Sequence, residues 1–230
     1  MRPKRLLRRL EECGSLVQVA LDFDNLLEAI GVVARLGEPG RAVILEAGTP
    51  LLKSMGTSAI EALKAFPWDH LVMADTKTVD AGYLEASIVS KAGADALSVL
   101  SVASHETLEE TVKASEELGV SVYGDLIAST NPVGDAEKLR KTGVDVALLH
   151  IGIDVQKRLG ITAIQLRDLI GQVKREFKGP IAVAGGIKPA EVSSLVEAGA
   201  DIVIIGSAIT RAPDPGSALR EALKRAGARC

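Results

Sequence analysis

Eight short apolar runs recur along the chain, and each is followed by a turn and then by a segment with helical spacing of apolar residues. Several runs are apolar at nearly every position, which is typical of parallel strands buried on both faces. The runs cover residues 16–23, 41–48, 70–77, 96–102, 120–127, 146–152, 180–187 and 201–209.

A second regularity lies between the runs, where helix-period segments end on glycine. Gly-X-Asp follows such a segment at 93–95, 143–145 and 199–201, and a glycine there suits a helix C-terminus. This pattern is typical of a repeating strand–helix unit and not of a linker between domains. The 230 residues are therefore predicted to be an α/β protein that folds as one domain, a (β/α)8 TIM barrel.

An open doubly wound sheet is the alternative architecture. It would need Gly-x-Gly-x-x-Gly after its first strand, whereas "LDFDNL" stands there. Ahead of the first run, the basic stretch "MRPKRLLRRL" lacks the apolar stretch and cleavage site of a signal peptide. Residues 1–14 are predicted to form a capping helix, with binding to an anionic surface as the minor alternative.

Composition excludes several classes of function. The formal net charge of −3 offers no basic footprint for nucleic acid, and no segment is long and apolar enough to span a membrane. The two cysteines, Cys13 and Cys230, are too few for a disulfide framework or a cysteine-rich metal site. A cytoplasmic protein is the default expectation.

Polar residues and glycines stand where the apolar runs end, which is where barrels of this kind carry their chemistry. Taken singly, three of the aspartates, Asp24, Asp125 and Asp154, are better explained as helix caps or loop charges. A structural ion-pair cluster is the alternative for the rest. The set comprises Asp22, Asp24, Glu46, Asp75, Lys77, Asp80, Ser98, Ser101, Asp125, His150, Asp154, Gly185, Gly186, Gly206 and Ser207.

Lys77 is the most informative member, because carboxylates flank it. Such a lysine stays protonated and can stabilise a developing oxyanion, whereas a Schiff-base lysine needs a depressed pKa. The oxygen donors Glu46 and Asp75 suit Mg²⁺ or Mn²⁺, with water and substrate oxygens as further ligands.

His150 ends the sixth run and is the candidate general acid or base. His70, at the start of a strand, and His105, at the start of a helix, are expected to be structural. Glycines after the seventh and eighth runs, at 185–186 and 206, suit a phosphate site built from backbone N–H groups.

Six motifs together carry a resemblance to a known family. They are "LD" after the first strand, "EAGTPL", "ADTKTVDAG", "HIGID", "VAGGIK" and "GSAIT". From about Val17 to Thr210 the chain resembles 3-hexulose-6-phosphate synthase, in the orotidine 5′-monophosphate decarboxylase group, with 3-keto-L-gulonate-6-phosphate decarboxylase as close kin.

The resemblance implies a metal-dependent aldol reaction. Formaldehyde joins D-ribulose 5-phosphate through an enediolate to give D-arabino-hex-3-ulose 6-phosphate, or the reverse occurs. By the same resemblance, Glu46 and Asp75 are metal ligands, and Lys77 stabilises the enediolate. His150 moves the C1 proton, and Asp80 serves the partner subunit of a homodimer. Asp22 holds a substrate hydroxyl, and the phosphate is bound by Gly186, Gly206 and Ser207.

Two departures from the related enzymes bear on this reading. The decarboxylases have an arginine where Ser207 stands, so phosphate here would depend on backbone amides. The gulonate enzyme also has an arginine where Ile153 stands, which argues against decarboxylation and for the synthase. A decarboxylase of a 3-keto sugar-acid phosphate and a non-catalytic phosphosugar-binding barrel remain the alternatives.

Overall fold

A computed structural model describes residues 3–230 and shows a closed barrel of eight parallel strands in sequential order, with β8 paired to β1. This confirms the predicted (β/α)8 fold. The strands are β1 Leu16–Leu21, β2 Val43–Ala47, β3 Leu71–Thr78, β4 Ala96–Leu100, β5 Ser121–Asp125, β6 Val146–His150, β7 Ile181–Ala184 and β8 Ile202–Ile205.

Twelve α-helices are described in addition to the strands. They are α1 Arg5–Cys13, α2 Leu26–Leu36, α3 Thr49–Met55, α4 Ser58–Lys64, α5 Gly82–Lys91, α6 His105–Leu118, α7 Pro132–Thr142, α8 Ile153–Leu159, α9 Arg167–Phe177, α10 Val192–Glu197, α11 Ser207–Thr210 and α12 Pro215–Ala226. The last predicted run, 201–209, extends too far, because its tail begins α11. None of the helices among residues 3–230 has the length and apolarity needed to cross a bilayer.

Two apolar layers follow from the alternation of side chains along each strand. Outward residues such as Val17 and Val19 pack against the helices. Inward residues such as Ile44 and Met73 fill the barrel together with Leu6 of α1. Helix α1 therefore closes the amino-terminal end of the barrel. The first two residues of the predicted 1–14 helix lie outside the described residues.

The three Gly-X-Asp repeats have a common structural role. Asp95, Asp145 and Asp201 each accept a hydrogen bond from the backbone N–H of the strand before their own, at Val72, Val122 and Ile181. Each aspartate also pairs with a lysine, respectively Lys64, Lys4 and Lys174. The repeated aspartate therefore joins neighbouring strands at the amino end of the barrel.

A disulfide joins Cys13, at the end of α1, to Cys230. The cysteine count did not predict this bond. The two thiols meet because α1 and the C-terminal segment lie side by side under the barrel, where Arg229 N–H donates to the Cys13 carbonyl at 2.9 Å.

Candidate active site

The predicted polar residues lie at the carboxyl-terminal end of the barrel, in continuation of the inward-facing rows. Residue 22 follows the row 16, 18, 20 of β1, and residue 75 follows Leu71 and Met73 of β3. Because side chains alternate with a period of two, these rows direct polar groups into a common mouth. The rows end in Asp22, Glu46, Asp75, Asp125, His150, Gly186 and Gly206.

A local irregularity in β3 places Lys77 in the mouth beside Asp75. The pairing with β4 shifts between Ala74 and Thr78, and Lys77 has φ +47°. A non-glycine residue in this region costs on the order of 1–3 kcal/mol and marks functional sites more often than others. Lys77 Nζ lies 2.5 Å from Asp75 Oδ2 and 3.6 Å from Asp125 Oδ2.

Ser98 of β4 holds this irregular backbone, although no specific role was predicted for it. Its hydroxyl accepts from Lys77 N–H at 2.9 Å and donates to Asp75 Oδ1 at 2.8 Å. Thr49 donates to the other carboxylate oxygen of Asp75 at 2.7 Å. Three donors, Ser98, Thr49 and Lys77, therefore fix the orientation of this carboxylate.

The pKa values of Asp75 and Lys77 are shifted in opposite directions. Burial tends to raise the pKa of Asp75, but the charge and hydrogen bond of Lys77 outweigh it, with help from Thr49 and Ser98, and the pKa is lowered. Burial tends to lower the pKa of Lys77, but the charges of Asp75 and Asp125 outweigh it, and the pKa is raised. Lys77 is therefore an ammonium at neutral pH, as predicted.

Asp125 is more central than the sequence indicated, since a helix cap or loop charge was the favoured explanation. It is 1% exposed, and its Oδ2 lies 3.1 Å from His150 Nδ1. A carboxylate beside Nδ1 favours the neutral tautomer that has its proton on Nδ1, which leaves the lone pair of Nε2 facing away from Asp125. Asp125 thus connects His150 with Lys77. In the sequence, the position of Asp125 within an apolar run was the only indication that this aspartate is buried.

Glu46 and Asp22 experience negative charge that Lys77 and, for Glu46, the hydrogen bond from Gln18 only partly offset. Burial, followed by the charges of Asp75 and Asp22, raises the pKa of Glu46 well above its usual value. Asp22 is exposed at the edge of the mouth, but the protein atoms around its carboxyl partly desolvate it, and this desolvation followed by the charge of Asp75 raises its pKa. Gly48 makes room for Asp22, because a Cβ there would lie 2.2 Å from its Oδ1.

This donor set fits a divalent cation. Mg²⁺ takes hard oxygen ligands and is commonly held by one or two carboxylates, with water and substrate supplying the rest. Glu46 and Asp75 supply such oxygens, and a bound cation would offset the burial and the repulsion that raise the pKa of Glu46. Within 3–230, no three His, Cys, Asp or Glu side chains form a ready metal-binding group, so water and substrate would have to complete the coordination.

The glycines predicted to bind phosphate follow β7 and β8, and β8 is the neighbour of β1, which Asp22 follows. Gly186 has φ +68°, and a Cβ there would come within 2.8 Å of Gln156 and Thr162. Gly206 lies near Asp22, since its Cβ would be 3.7 Å from Asp22 Oδ2, and Ser207 begins α11.

Asp80 is not brought into the cluster of its own chain. It is exposed, and its Oδ1 accepts from Ala81 N–H at 2.7 Å. The other two histidines lie away from the mouth: His70 is buried with both ring nitrogens near backbone carbonyls, and the side chain of His105 is on the surface.

The sequence of the chain matches one protein family over most of its length. The model of the orotidine 5′-phosphate decarboxylase / HUMPS family matches residues 15–222. A 3-hexulose-6-phosphate synthase from Mycobacterium gastri is 37% identical over 207 residues, which is 89% of this chain and 96% of that protein. The chain matches about half, 51%, of a longer relative, the bifunctional enzyme Fae/Hps of Archaeoglobus fulgidus, at 32% identity over 89% of this chain.

A solved structure agrees in both sequence and fold. The crystal structure of 3-hexulose-6-phosphate synthase from Salmonella typhimurium superposes with a TM-score of 0.84 at 34% identity, covering 92% of this chain and 98% of that one.

Proposed function

Because the chain belongs to the orotidine 5′-phosphate decarboxylase / HUMPS family, we propose that it is an aldehyde-lyase that joins formaldehyde to D-ribulose 5-phosphate. The product is D-arabino-hex-3-ulose 6-phosphate, and the reverse reaction uses the same site. The observation that carries the proposal is the contact series Asp75–Lys77–Asp125–His150. This series supports the proposal because it brings the ammonium group of Lys77 and the imidazole of His150 together at one mouth.

His150 is proposed to take the proton from C1 of the substrate. Asp125 holds Nδ1, so Nε2 can accept this proton as general base. The C1–H electron pair becomes the C1–C2 double bond, and negative charge moves to the oxygen on C2. The result is an enediolate.

Lys77 is proposed to stabilise the enediolate. Its ammonium is held by Asp75 before substrate binds, so little reorganisation is needed as charge develops on the substrate oxygen. C1 then attacks the carbon of formaldehyde, a C–C bond forms, and the formaldehyde oxygen takes a proton from His150. The former C2 becomes the ketone carbon of the product.

The cofactor proposed is Mg²⁺, or Mn²⁺ in its place, held by Glu46 and Asp75. When bound, such an ion polarises the substrate carbonyl as a Lewis acid. Asp22 is proposed to hold a substrate hydroxyl, while the backbone at Gly186, Gly206 and Ser207 binds the phosphate.

The test is an assay with formaldehyde and D-ribulose 5-phosphate, before and after chelation. Hexulose phosphate should form, activity should disappear on chelation, and Mg²⁺ or Mn²⁺ should restore it. Deuterium exchange at C1 without formaldehyde should fall on the order of 10²-fold in His150→Ala and stay unchanged in the matched variant His105→Ala. Decarboxylation of 3-keto-L-gulonate 6-phosphate without aldol activity would replace the proposal with the alternative enzyme, and full activity after chelation would remove the metal from it.

We also propose that the enzyme is a homodimer in which Asp80 acts in the site of the partner. Asp80 is exposed, and the exposed apolar side chains Val79, Leu84 and Ile88 lie close to it in the sequence. Lys77→Ala and Asp80→Ala homodimers should each be nearly inactive. After random reassembly, half of the dimers are mixed and carry one intact site, so about a quarter of wild-type activity should return. Verified subunit exchange without recovery would place Asp80 outside the shared site.

A further inference from the structure

A chain of buried hydrogen bonds lies directly beneath the mouth. The Tyr123 hydroxyl donates to Gln18 Oε1 at 3.1 Å, and Gln18 Nε2 donates to Glu46 Oε2 at 2.6 Å. Tyr123 and Gln18 are 0% exposed and Glu46 is 6% exposed. The proposed mechanism uses only Glu46 of these three.

The chain of bonds crosses the interior of the barrel. Gln18 is on β1 and Glu46 on the neighbouring β2, whereas Tyr123 is on β5, four strands from β1 in either direction around the barrel. The side chains around it are apolar, among them Ile44 and Met73. Buried polar groups in such surroundings are costly unless they are paired, so an interior that served packing alone would not need them.

The oxygen and the nitrogen of the Gln18 amide have different partners, and Tyr123 determines which of the two atoms faces Glu46. Burial, with a further contribution from the charge of Glu46, raises the pKa of Tyr123 well above its usual value, so the phenol keeps its proton. A phenol that donates occupies the amide oxygen of Gln18 and leaves the amide N–H₂ for Glu46. One carboxylate oxygen, Oε2, is thereby fixed, and this chain of bonds leaves Oε1 unused.

We propose that Gln18 and Tyr123 are positioning residues that hold Glu46 in the orientation needed to bind the divalent cation. The inference rests on the proposed function, which assigns Glu46 as a metal ligand. Residues that hydrogen-bond to a metal ligand and orient it typically lower metal affinity 10–100-fold when they are removed. Gln18 touches the ligand directly, and Tyr123 acts only through Gln18.

The experiment measures Mn²⁺ affinity directly, by the EPR signal of free and bound Mn²⁺, and needs no substrate. Gln18→Met keeps the length of the side chain and removes the amide, and its Kd for Mn²⁺ should rise about 10–100-fold. Tyr123→Phe should raise the Kd less, because the amide can still reach Glu46. The double variant should bind no more weakly than Gln18→Met, since contacts in one series are not additive.

A matched control is available in the second tyrosine of the chain. Tyr83→Phe removes a hydroxyl that donates to Glu117 at the surface, and it should leave the Kd unchanged. Thermal unfolding without metal shows whether each variant is folded, and Tyr123→Phe tests the role even if Gln18→Met does not fold.

The possible outcomes separate the two proposals. Wild-type Mn²⁺ affinity in folded Gln18→Met or Tyr123→Phe protein would overturn the positioning role, and so would independent, multiplicative effects in the double variant. Wild-type protein that binds no Mn²⁺ would instead overturn the metal-ligand role of Glu46 in the proposed function, and the positioning role with it.

Discussion

The two ends of the barrel differ in how their charged groups are paired. At the amino end, α1 packs its apolar side into the barrel, and the buried Arg9 donates to the carbonyls of Arg41 and Asp69 at 2.5 and 2.8 Å. Its other terminal nitrogen lies 2.7 Å from Asp69 Oδ1. Cations at this end meet carbonyls and carboxylates that they complement.

At the carboxyl end, acidic groups gather in excess. Asp22, Glu46 and Asp75 interact with one another as like charges, and Lys77 is the cation in direct contact with Asp75. The backbone of Lys77 has positive φ, which adds strain.

The pKa values of one carboxyl group at each end, Asp69 and Glu46, are shifted in opposite directions. Hydrogen bonds from Arg41 and then Arg9 lower the pKa of Asp69 at the amino end, whereas burial and neighbouring carboxylates raise the pKa of Glu46 at the mouth. The contacts of Asp69 therefore stabilise the fold, whereas the carboxylate of Glu46 is held at a cost to stability. Asp75, whose pKa is lowered because Lys77 outweighs its burial, is the exception at the mouth. A site that is ready to bind a cation shows this imbalance.

The largest expected effect comes from removing one cation at each end. Lys77→Met should lower activity by at least 10²–10³-fold, the usual effect of losing a donor to a developing oxyanion. Arg9→Met should leave activity at 25 °C nearly unchanged and lower the Tm by roughly 5–10 °C, because two carbonyls lose their donor. Kinetics and thermal unfolding of both variants check this. A similar loss of activity in Arg9→Met would show that the two ends are not separate in function.

A smaller effect is expected from opening the disulfide at the amino end. Cys230→Ser should lower stability by about 2–4 kcal/mol, or roughly 5–15 °C in Tm, with activity at 25 °C preserved. Wild-type protein under reducing conditions is the matched control and should melt with the variant. Equal melting temperatures for oxidised wild type and Cys230→Ser would mean that the bond adds nothing to the packing of α1.

The fold was predictable because its signals are local and repeated. Strands buried on both faces are apolar throughout, and the period of two identifies which row continues into Glu46 or His150. The same rows place the mouth at one end of the barrel. The end of the last strand was less predictable, because Ser207 and the apolar residues after it continue the run as a short helix.

Most of the features that sequence reasoning missed depend on contacts between residues far apart in the chain. The Cys13–Cys230 bond joins residues at opposite ends of the chain, and Tyr123 meets Gln18 from the facing strand. Asp125 has the same local pattern as a helix cap, so its contact with His150 has no local signal. Positive φ at Lys77 was likewise hidden, since lysine does not indicate that conformation as glycine would.

The smallest expected effect compares one carboxylate from each end by its pH dependence. Because the pKa of Glu46 is raised in the folded protein, ionisation destabilises the fold as pH rises above the unfolded-state pKa. Without metal, Glu46→Gln should therefore melt with wild type in acid and roughly 3–5 °C above it near pH 8, while activity is lost. Asp69, whose pKa is lowered, stabilises the fold above its unfolded-state pKa, so Asp69→Asn should melt below wild type near pH 8 and approach it as pH falls. Thermal unfolding of the three metal-free proteins across this range measures both signs. If Glu46→Gln melted at or below wild type near pH 8, the mouth would carry no electrostatic strain, and the contrast between the two ends would fail.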